Sequence, residues 1–307
     1  MRVNVISCQR NINSHNYGRQ DHFYSRMDLF CVSWIIVVFI LTDGYLKRII
    51  RMHSFTAYHT DVGIHKKINE DSLCIQVAET AIGEVVFAVV CDGMGGLQKG
   101  ELASANVTKA FAEWFETDFP ALIFDPDLHD KTFENWADII RTQNRIIADY
   151  GAINRIVLGT TATVLLMLES GKFFIGHVGD SRVYCINQSV QQLTDDQTVV
   201  NEEIKKGRLT VEQAESDPRR NVLLQCVGAS PTLVPDFLYG DFSVGDLFLL
   251  CSDGFRHEIS LDEITSHLNP AIIREEASMK NALIELVELN KQRGERDNIT
   301  ALAILVS

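Results

Sequence analysis

Basic charge is what this 307-residue sequence has too little of. It carries 28 Lys and Arg against 41 Asp and Glu, a formal net charge of -13. Contacts to a nucleic-acid backbone need a basic face, so the deficit argues against nucleic acid as the main partner. C-x-x-C pairs are missing altogether. The seven cysteines (Cys8, Cys31, Cys74, Cys91, Cys185, Cys226 and Cys251) are odd in number and isolated from one another. Cys74, Cys91, Cys185 and Cys251 fall in apolar, strand-like runs, where a thiol behaves as a small hydrophobe. This argues against a zinc framework or disulfide scaffold, and a reducing, cytoplasmic setting fits best. A full membrane span is lacking too. The apolar run LFCVSWIIVVFILT, residues 29–42, is 14 residues long, where a spanning helix wants about 20.

That run lies in a stretch unlike the remainder. Residues 1–51 hold seven basic side chains against three acids, Asp21, Asp28 and Asp43, so nearly all the acidity lies downstream. Asp28 directly before the run, and no small-residue cleavage site after it, argue against a signal peptide. Three readings stay open for 1–51: a short apolar anchor giving weak membrane association, an ordinary docking helix, or upstream sequence ahead of a true start at Met52. The chain divides on this basis into an N-terminal extension, 1–51, and a catalytic domain, 52–307.

What is abundant downstream is aspartate at the ends of apolar strands. EVVFAVVCDG runs into Asp92-Gly93, KFFIGHVGDS into Asp180-Ser181, and DLFLLCSDG into Asp253-Gly254. Runs of β-branched and aromatic residues like these read as buried strands. A carboxylate at the exit of such a strand is held rigidly at the rim of the core, and the following glycine leaves its backbone carbonyl approachable. A single Asp-Gly marks a turn and no more; three aspartates, each at the end of a strongly apolar strand and followed by a small residue, form a pattern. Asn69-Glu70-Asp71 before SLCIQV and Asp297-Asn298 before ITALAILV extend it. Carboxylates are hard oxygen ligands suited to Mg²⁺, Mn²⁺ or Ca²⁺. Gathering several without cations is opposed by repulsion and desolvation, so if they converge a metal cluster is nearly obligatory.

The order and wording of the motifs resemble the metal-dependent Ser/Thr protein phosphatases of the type 2C class in their bacterial form. The resemblance begins with TDVGIHKKINEDS (60–72) and DGMGGLQKGELAS (92–104). It continues through GTTAT (159–163), HVGDSRVY (177–184), LTDDQT (193–198) and NVLLQCVG (221–228), and closes with LLCSDGF (249–255) and RDNIT (296–300). It covers nearly everything beyond the leader. It implies an α+β fold, a four-layer α-β-β-α sandwich of two antiparallel sheets flanked by helices. The sequence agrees with this: Ala103, Val107, Ala110, Phe111, Trp114 and Phe115 lie on one helical stripe, which reads as core packing. NALIELVELNKQ, before the last strand, is a second amphipathic segment.

The resemblance also implies a mechanism: hydrolysis of phosphoserine and phosphothreonine by water activated between two Mn²⁺ or Mg²⁺ ions. Asp92 would bridge the ions, with the Gly93 carbonyl as a further ligand. Asp253 and Asp297 would hold one ion, Glu70 and Asp71 would support the other mostly through waters, and Asp180 would take a third, looser ion. The partner would be a phosphorylated protein opposing a Ser/Thr kinase, with membrane contact only if the 29–42 run acts as an anchor. A covalent aspartyl mechanism would need a D-x-D pair at a strand end, and none stands there.

Two positions depart from the family pattern. Lys66 stands where an arginine usually grips the phosphate, and lysine is a point charge with no bidentate fork. A Lys66 clamp is one reading and a solvated surface lysine the other. The substitution also keeps open an alternative function, a catalytically weak relative serving as a phosphoprotein- or metal-binding regulatory module. The second departure is Asp196-Gln197-Thr198 in place of Asp-His-Ser, expected to affect structure near the site. Met94 occupies a position that is histidine in some eukaryotic relatives, so no general acid is evident. His177 reads as a packed strand histidine, Arg182 as an ion-pair partner, and His65 and His257 as incidental neighbours. The charged stretch 199–220 lies where the family carries a flap beside the active site.

Overall fold

A computed structural model describes residues 2–9, 52–94 and 99–307; the 29–42 run lies outside them. Along the chain come strands β1 (Arg2–Gln9), β2 (Ser54–Asp61), β3 (Ser72–Thr80), β4 (Gly83–Cys91) and the short β5 (Gly93–Met94). Helices α1 (Gly100–Thr117), α2 (Phe119–Leu122) and α3 (Leu128–Asn154) follow. Next are β6 (Gly159–Thr160), β7 (Ala162–Leu168), β8 (Lys172–Val178), β9 (Arg182–Ile186) and β10 (Val190–Gln192), then helices α4 (Val199–Lys205) and α5 (Val211–Glu215). The chain closes with β11 (Asp236–Asp241), β12 (Leu247–Cys251), α6 (Leu261–His267), α7 (Glu276–Arg293) and β13 (Ile299–Val306).

Two antiparallel sheets result. One has the order β1-β3-β4-β7-β8-β11, the other β10-β9-β12-β13-β2, and β5 and β6 form a small ladder of their own. The central strands are apolar at most positions because both of their faces are covered. Along β4, Val85, Phe87 and Val89 point to α1 and α3, whereas Val86, Ala88 and Val90 meet Phe248, Leu250, Leu302 and Ile304 of the second sheet. The outer face of the second sheet, with Leu249, Ala301 and Ala303, packs on Leu283, Leu286 and Val287 of α7. These three cores make the four-layer α-β-β-α sandwich expected from the sequence. Within the outer core Phe87 stacks on Phe115 at 4.8 Å between ring centroids, and burying each such side chain is worth about 1.5–3 kcal/mol. The helical stripe buries Ala103, Val107, Phe111, Trp114 and Phe115; Ala110 is only half-covered, and Ala112 is buried instead.

One strand lies inside the stretch expected to stand apart. β1 is hydrogen-bonded to β3 in antiparallel register, Arg2 opposite Glu79 and Gln9 opposite Leu73. The first sheet therefore takes its edge from the leader. No helix among the described residues is long and apolar enough to cross a membrane.

Candidate active site

Antiparallel register gathers the site. In the first sheet Ser72, which opens β3, pairs with Cys91, which closes β4, and Ala162 of β7 pairs with Val178 at the end of β8. In the second sheet Cys251 at the end of β12 pairs with Ala301 of β13 and with Arg182 of β9. Alternating strand direction thus delivers Asp71, Asp92, Asp180, Asp253 and Asp297 to one end of the sandwich. The two sheets are tied there through Ser252, whose hydroxyl donates to Asp71 Oδ2 at 2.9 Å and accepts from the Thr300 amide at 3.0 Å.

Each carboxylate has its own local support. The Asp92 amide donates to Thr161 Oγ1 at 2.8 Å, and its carbonyl accepts from the Thr161 amide and Thr160 Oγ1, both at 2.9 Å. Gly93 is required by space: a Cβ there would stand 2.3 Å from the Glu70 carbonyl oxygen and 2.4 Å from that of Gly100. Glu70 caps α1 by accepting the Gly100 amide at 2.9 Å. Its own amide donates to Asn298 Oδ1 at 2.8 Å, and Asn298 Nδ2 binds the carbonyls of Val62 and Ile68. The asparagine of RDNIT therefore fastens the 62–70 loop, which carries Lys66 and Glu70, to the start of β13.

These groups feel one another. Burial pushes the Asp92 carboxyl well above the usual range, and the charges of Asp71, Asp253, Asp297 and Asp180 push the same way. Asp92 nonetheless keeps part of its surface exposed. Asp71 is raised to about 7, first by burial and then by Asp253 and Asp297, against hydrogen bonds from Thr300 and Ser252. Glu70 is raised by burial and by Glu101 and Asp297. Asp253 Oδ1 is buried and accepts no hydrogen bond among the described residues. An uncapped carboxylate oxygen amid mutually repelling carboxylates is the donor set a hard divalent cation fits. Among the described residues, no three His, Cys, Asp or Glu side chains already close on one point as a finished single-ion cage.

Lys66 reaches into this cluster. Its Nζ is 2.8 Å from Asp297 Oδ1 and 3.6 Å from Glu70 Oε2, with the side chain 38% exposed. It is neither a free surface lysine nor remote from the carboxylates. His257, expected to be incidental, lies between two acids: Nε2 is 3.5 Å from Asp253 Oδ2 and Nδ1 is 3.3 Å from Glu295 Oε2. Glu295 Oε1 accepts the amides of Arg296 at 2.6 Å and Asp297 at 2.8 Å. One buried glutamate thus fixes the loop of Asp297 and braces the histidine that faces Asp253.

Beside the cluster lies a charged corner. Arg182 donates Nε to Asp196 Oδ1 at 2.7 Å and Nη2 to Oδ2 at 2.6 Å, the ion-pair role expected of it. Gln197 is buried, accepts the Gly179 amide at 2.8 Å and donates to Asp236 Oδ2 at 2.8 Å. It latches the turn that carries Asp180, which is the structural effect foreseen at that departure. His177 is buried in β8, with Nδ1 3.0 Å from Thr163 Oγ1, and burial lowers its pKa. A cavity of about 400 Å³ opens over Lys66, His257, Glu295 and Asp297. A second, of about 740 Å³, runs between Asp180, Arg256 and the apolar side chains of Val200, Ile204 and Leu261. Arg220 and Asn221 line both, so the 199–220 stretch forms a wall of the cleft.

With this geometry in place, comparison with known proteins is decisive. The family model for protein phosphatase 2C matches residues 57–298. The chain belongs to the protein phosphatase 2C family. It is accordingly a metal-dependent protein phosphatase. It is 33% identical over 244 residues to a putative protein phosphatase 2C-type of Streptococcus pyogenes, covering 78% of this chain and 93% of that protein. The serine/threonine phosphatase of S. agalactiae superposes with a TM-score of 0.72 at 30% identity, covering 83% of this chain and all of that one. The catalytic domain of the phosphatase PstP, solved in complex with two manganese ions, gives a TM-score of 0.65 at 29% identity and covers 83% and 99% of the two chains.

Three phosphatase residues escaped the sequence reading in their roles: Arg256, His257 and Glu295. The signal was present in the strings SDGFRHE and GERDN, where charged residues directly flank the metal-type aspartates. Only the folded arrangement shows which acid each one faces.

Proposed function

We propose that this phosphatase hydrolyses phosphoserine and phosphothreonine esters of proteins at a centre of two divalent cations, Mn²⁺ or Mg²⁺. Asp92, Asp253 and Asp297 would be the principal ligands, with the Gly93 carbonyl, Glu70 and Asp71 in support. The observation that carries the reading is the convergence of Asp71, Asp253 and Asp297 on Asp92, whose carboxyl is raised well above its usual range by burial first and then by their charges. The manganese complex of PstP supports the number and class of ions. When bound, such ions lower the pKa of water and offset charge on phosphoryl oxygens. Asp180 is left out of this set because an arginine faces it.

The chain's own residues do the rest. Ser252 and Thr300 orient Asp71, and Glu295 orients the Asp297 loop. Lys66, held at the cluster by Asp297 and Glu70, is the cation that binds the phosphate of the substrate as a point charge. Helices α4 and α5, facing the larger cavity, select the peptide around the phosphoresidue. A protein kinase of the Ser/Thr class would supply that substrate.

The test is Mn²⁺-dependent hydrolysis of p-nitrophenyl phosphate and of a phosphothreonine peptide. Turnover is expected in the parent and none in Asp253→Asn. A folded parent without turnover would instead make the chain a binding module.

A further inference from the structure

Asp180 was assigned by resemblance to a third, looser ion, and its surroundings do not fit one. Asp180 is 6% exposed. Facing it is Arg256, whose Nη2 is 3.7 Å from Asp180 Oδ2, 3.1 Å from the Asp180 carbonyl oxygen and 3.4 Å from Asp196 Oδ2. Asp196 is already engaged by both donors of the Arg182 fork. The corner therefore holds two guanidinium groups and two carboxylates, all largely buried, and its formal charge is zero without any ion.

Arg256 is not a mobile surface group that happens to lie there. It closes the short 3₁₀ turn Asp253–Phe255, donating its amide to the Asp253 carbonyl at 3.0 Å, and its side chain is 14% exposed. The turn that presents Asp253 to the cluster thus delivers the guanidinium to Asp180 in the same step.

We propose that Arg256 is a built-in cation that takes the place of a third ion beside Asp180, so that this phosphatase works with two ions. The inference rests on the two-ion reading given above. Arginine stays charged at any pH the fold survives. A divalent ion on Asp180 would have to expel the guanidinium, and its only other acidic neighbour in the corner, Asp196, is committed to Arg182. Asp253 and Asp92, the other acids that interact with Asp180, serve the two-ion core.

The test is the number of Mn²⁺ ions bound per chain at saturation, read by equilibrium dialysis with metal analysis on the full chain. The parent should take two ions. Arg256→Ala, and Arg256→Gln as a neutral variant of similar length, should take three, and adding Asp180→Asn to either should return the count to two. A parent taking three ions overturns the inference and leaves the two-ion core standing. A folded neutral variant still taking two also overturns it. A parent taking fewer than two overturns the core reading and the inference with it. The parent's count decides even if both neutral variants fail to fold.

Discussion

Two clusters of buried acids sit side by side at one end of this sandwich, and they are balanced in opposite ways. Around Asp180 and Asp196 the protein supplies its own cations, Arg182 and Arg256. Around Asp92, Asp71 and Asp253 its basic groups are a lysine and a histidine: Lys66 touches Asp297 and Glu70 from the rim, and His257 faces Asp253. The consequence shows in the carboxyls themselves. Burial alone would raise Asp196, but the Arg182 fork and the charge of Arg256 bring it below its usual range. Asp92 and Asp71 receive no such help and rise. Asp196, gripped by the Arg182 fork, is structure; Asp180, with Arg256 3.7 Å away, still rises to about 7 through burial and the charge of Asp253, against the pull of Arg256. Buried acids without any guanidinium are poised to take cations from solution.

The comparison can be broken most directly at the balanced corner. Asp196→Ala would leave two buried guanidinium groups with one carboxylate, and removing one partner of a buried pair costs about 3–5 kcal/mol. Urea denaturation of parent and variant checks this, and the loss should persist with Mn²⁺ present. At the unbalanced cluster, metal should act on stability instead. Mn²⁺ at a hundred times its dissociation constant should stabilise the parent by about 2.7 kcal/mol, measured as a rise in denaturation midpoint that Asp253→Asn abolishes.

Acidity should separate the two as well. In EDTA-treated protein Asp71 holds its proton up to about 7, whereas in the unfolded chain it has the ordinary value near 3.8. The folded state then binds more protons between those values, so stability falls as pH rises through that window, by up to about 1.4 kcal/mol per pH unit for each such proton. Asp196, lowered on folding, works in the other direction and loses its contribution only as pH falls below about 3.8. Urea midpoints of metal-free protein between pH 5 and 7 should therefore decline, and a flat profile would count against the Asp71 assignment.

Smaller effects sharpen the picture. Glu295→Gln weakens the brace on His257 and the Asp297 loop, and the loss of such an orienting group lowers metal affinity by about 10–100-fold, read by Mn²⁺ titration. Lys66→Ala should raise KM for a phosphopeptide by about tenfold, roughly 1.4 kcal/mol, and unchanged kcat and KM would return Lys66 to the role of a structural neighbour of Asp297.

Much of the carboxylate cluster was legible because its acids occupy strand ends. Asp92 and Asp253 follow apolar runs whose burial on both faces forces them to be strands, and Asp297 and Asp71 precede such runs. Once the strands alternate in direction, those ends share one edge. The identity of each acid's neighbour was not legible. Arg256 and His257 are adjacent in sequence and equally charged-looking, yet one faces Asp180 and the other Asp253 and Glu295. The position of β1 was hidden too, since the composition of residues 1–51 sets them apart from the sheet that Arg2–Gln9 completes.

By itself, then, the sequence determined the apolar strands, the glycines beside them and the acids at their ends, because local periodicity and residue chemistry act over a few positions. Tertiary structure decided which of those acids meet a protein cation and which do not. That choice depends on side chains far apart in the chain, such as Asp71 and Ser252 or Asp180 and Arg256, which only sheet register and sheet stacking bring within reach.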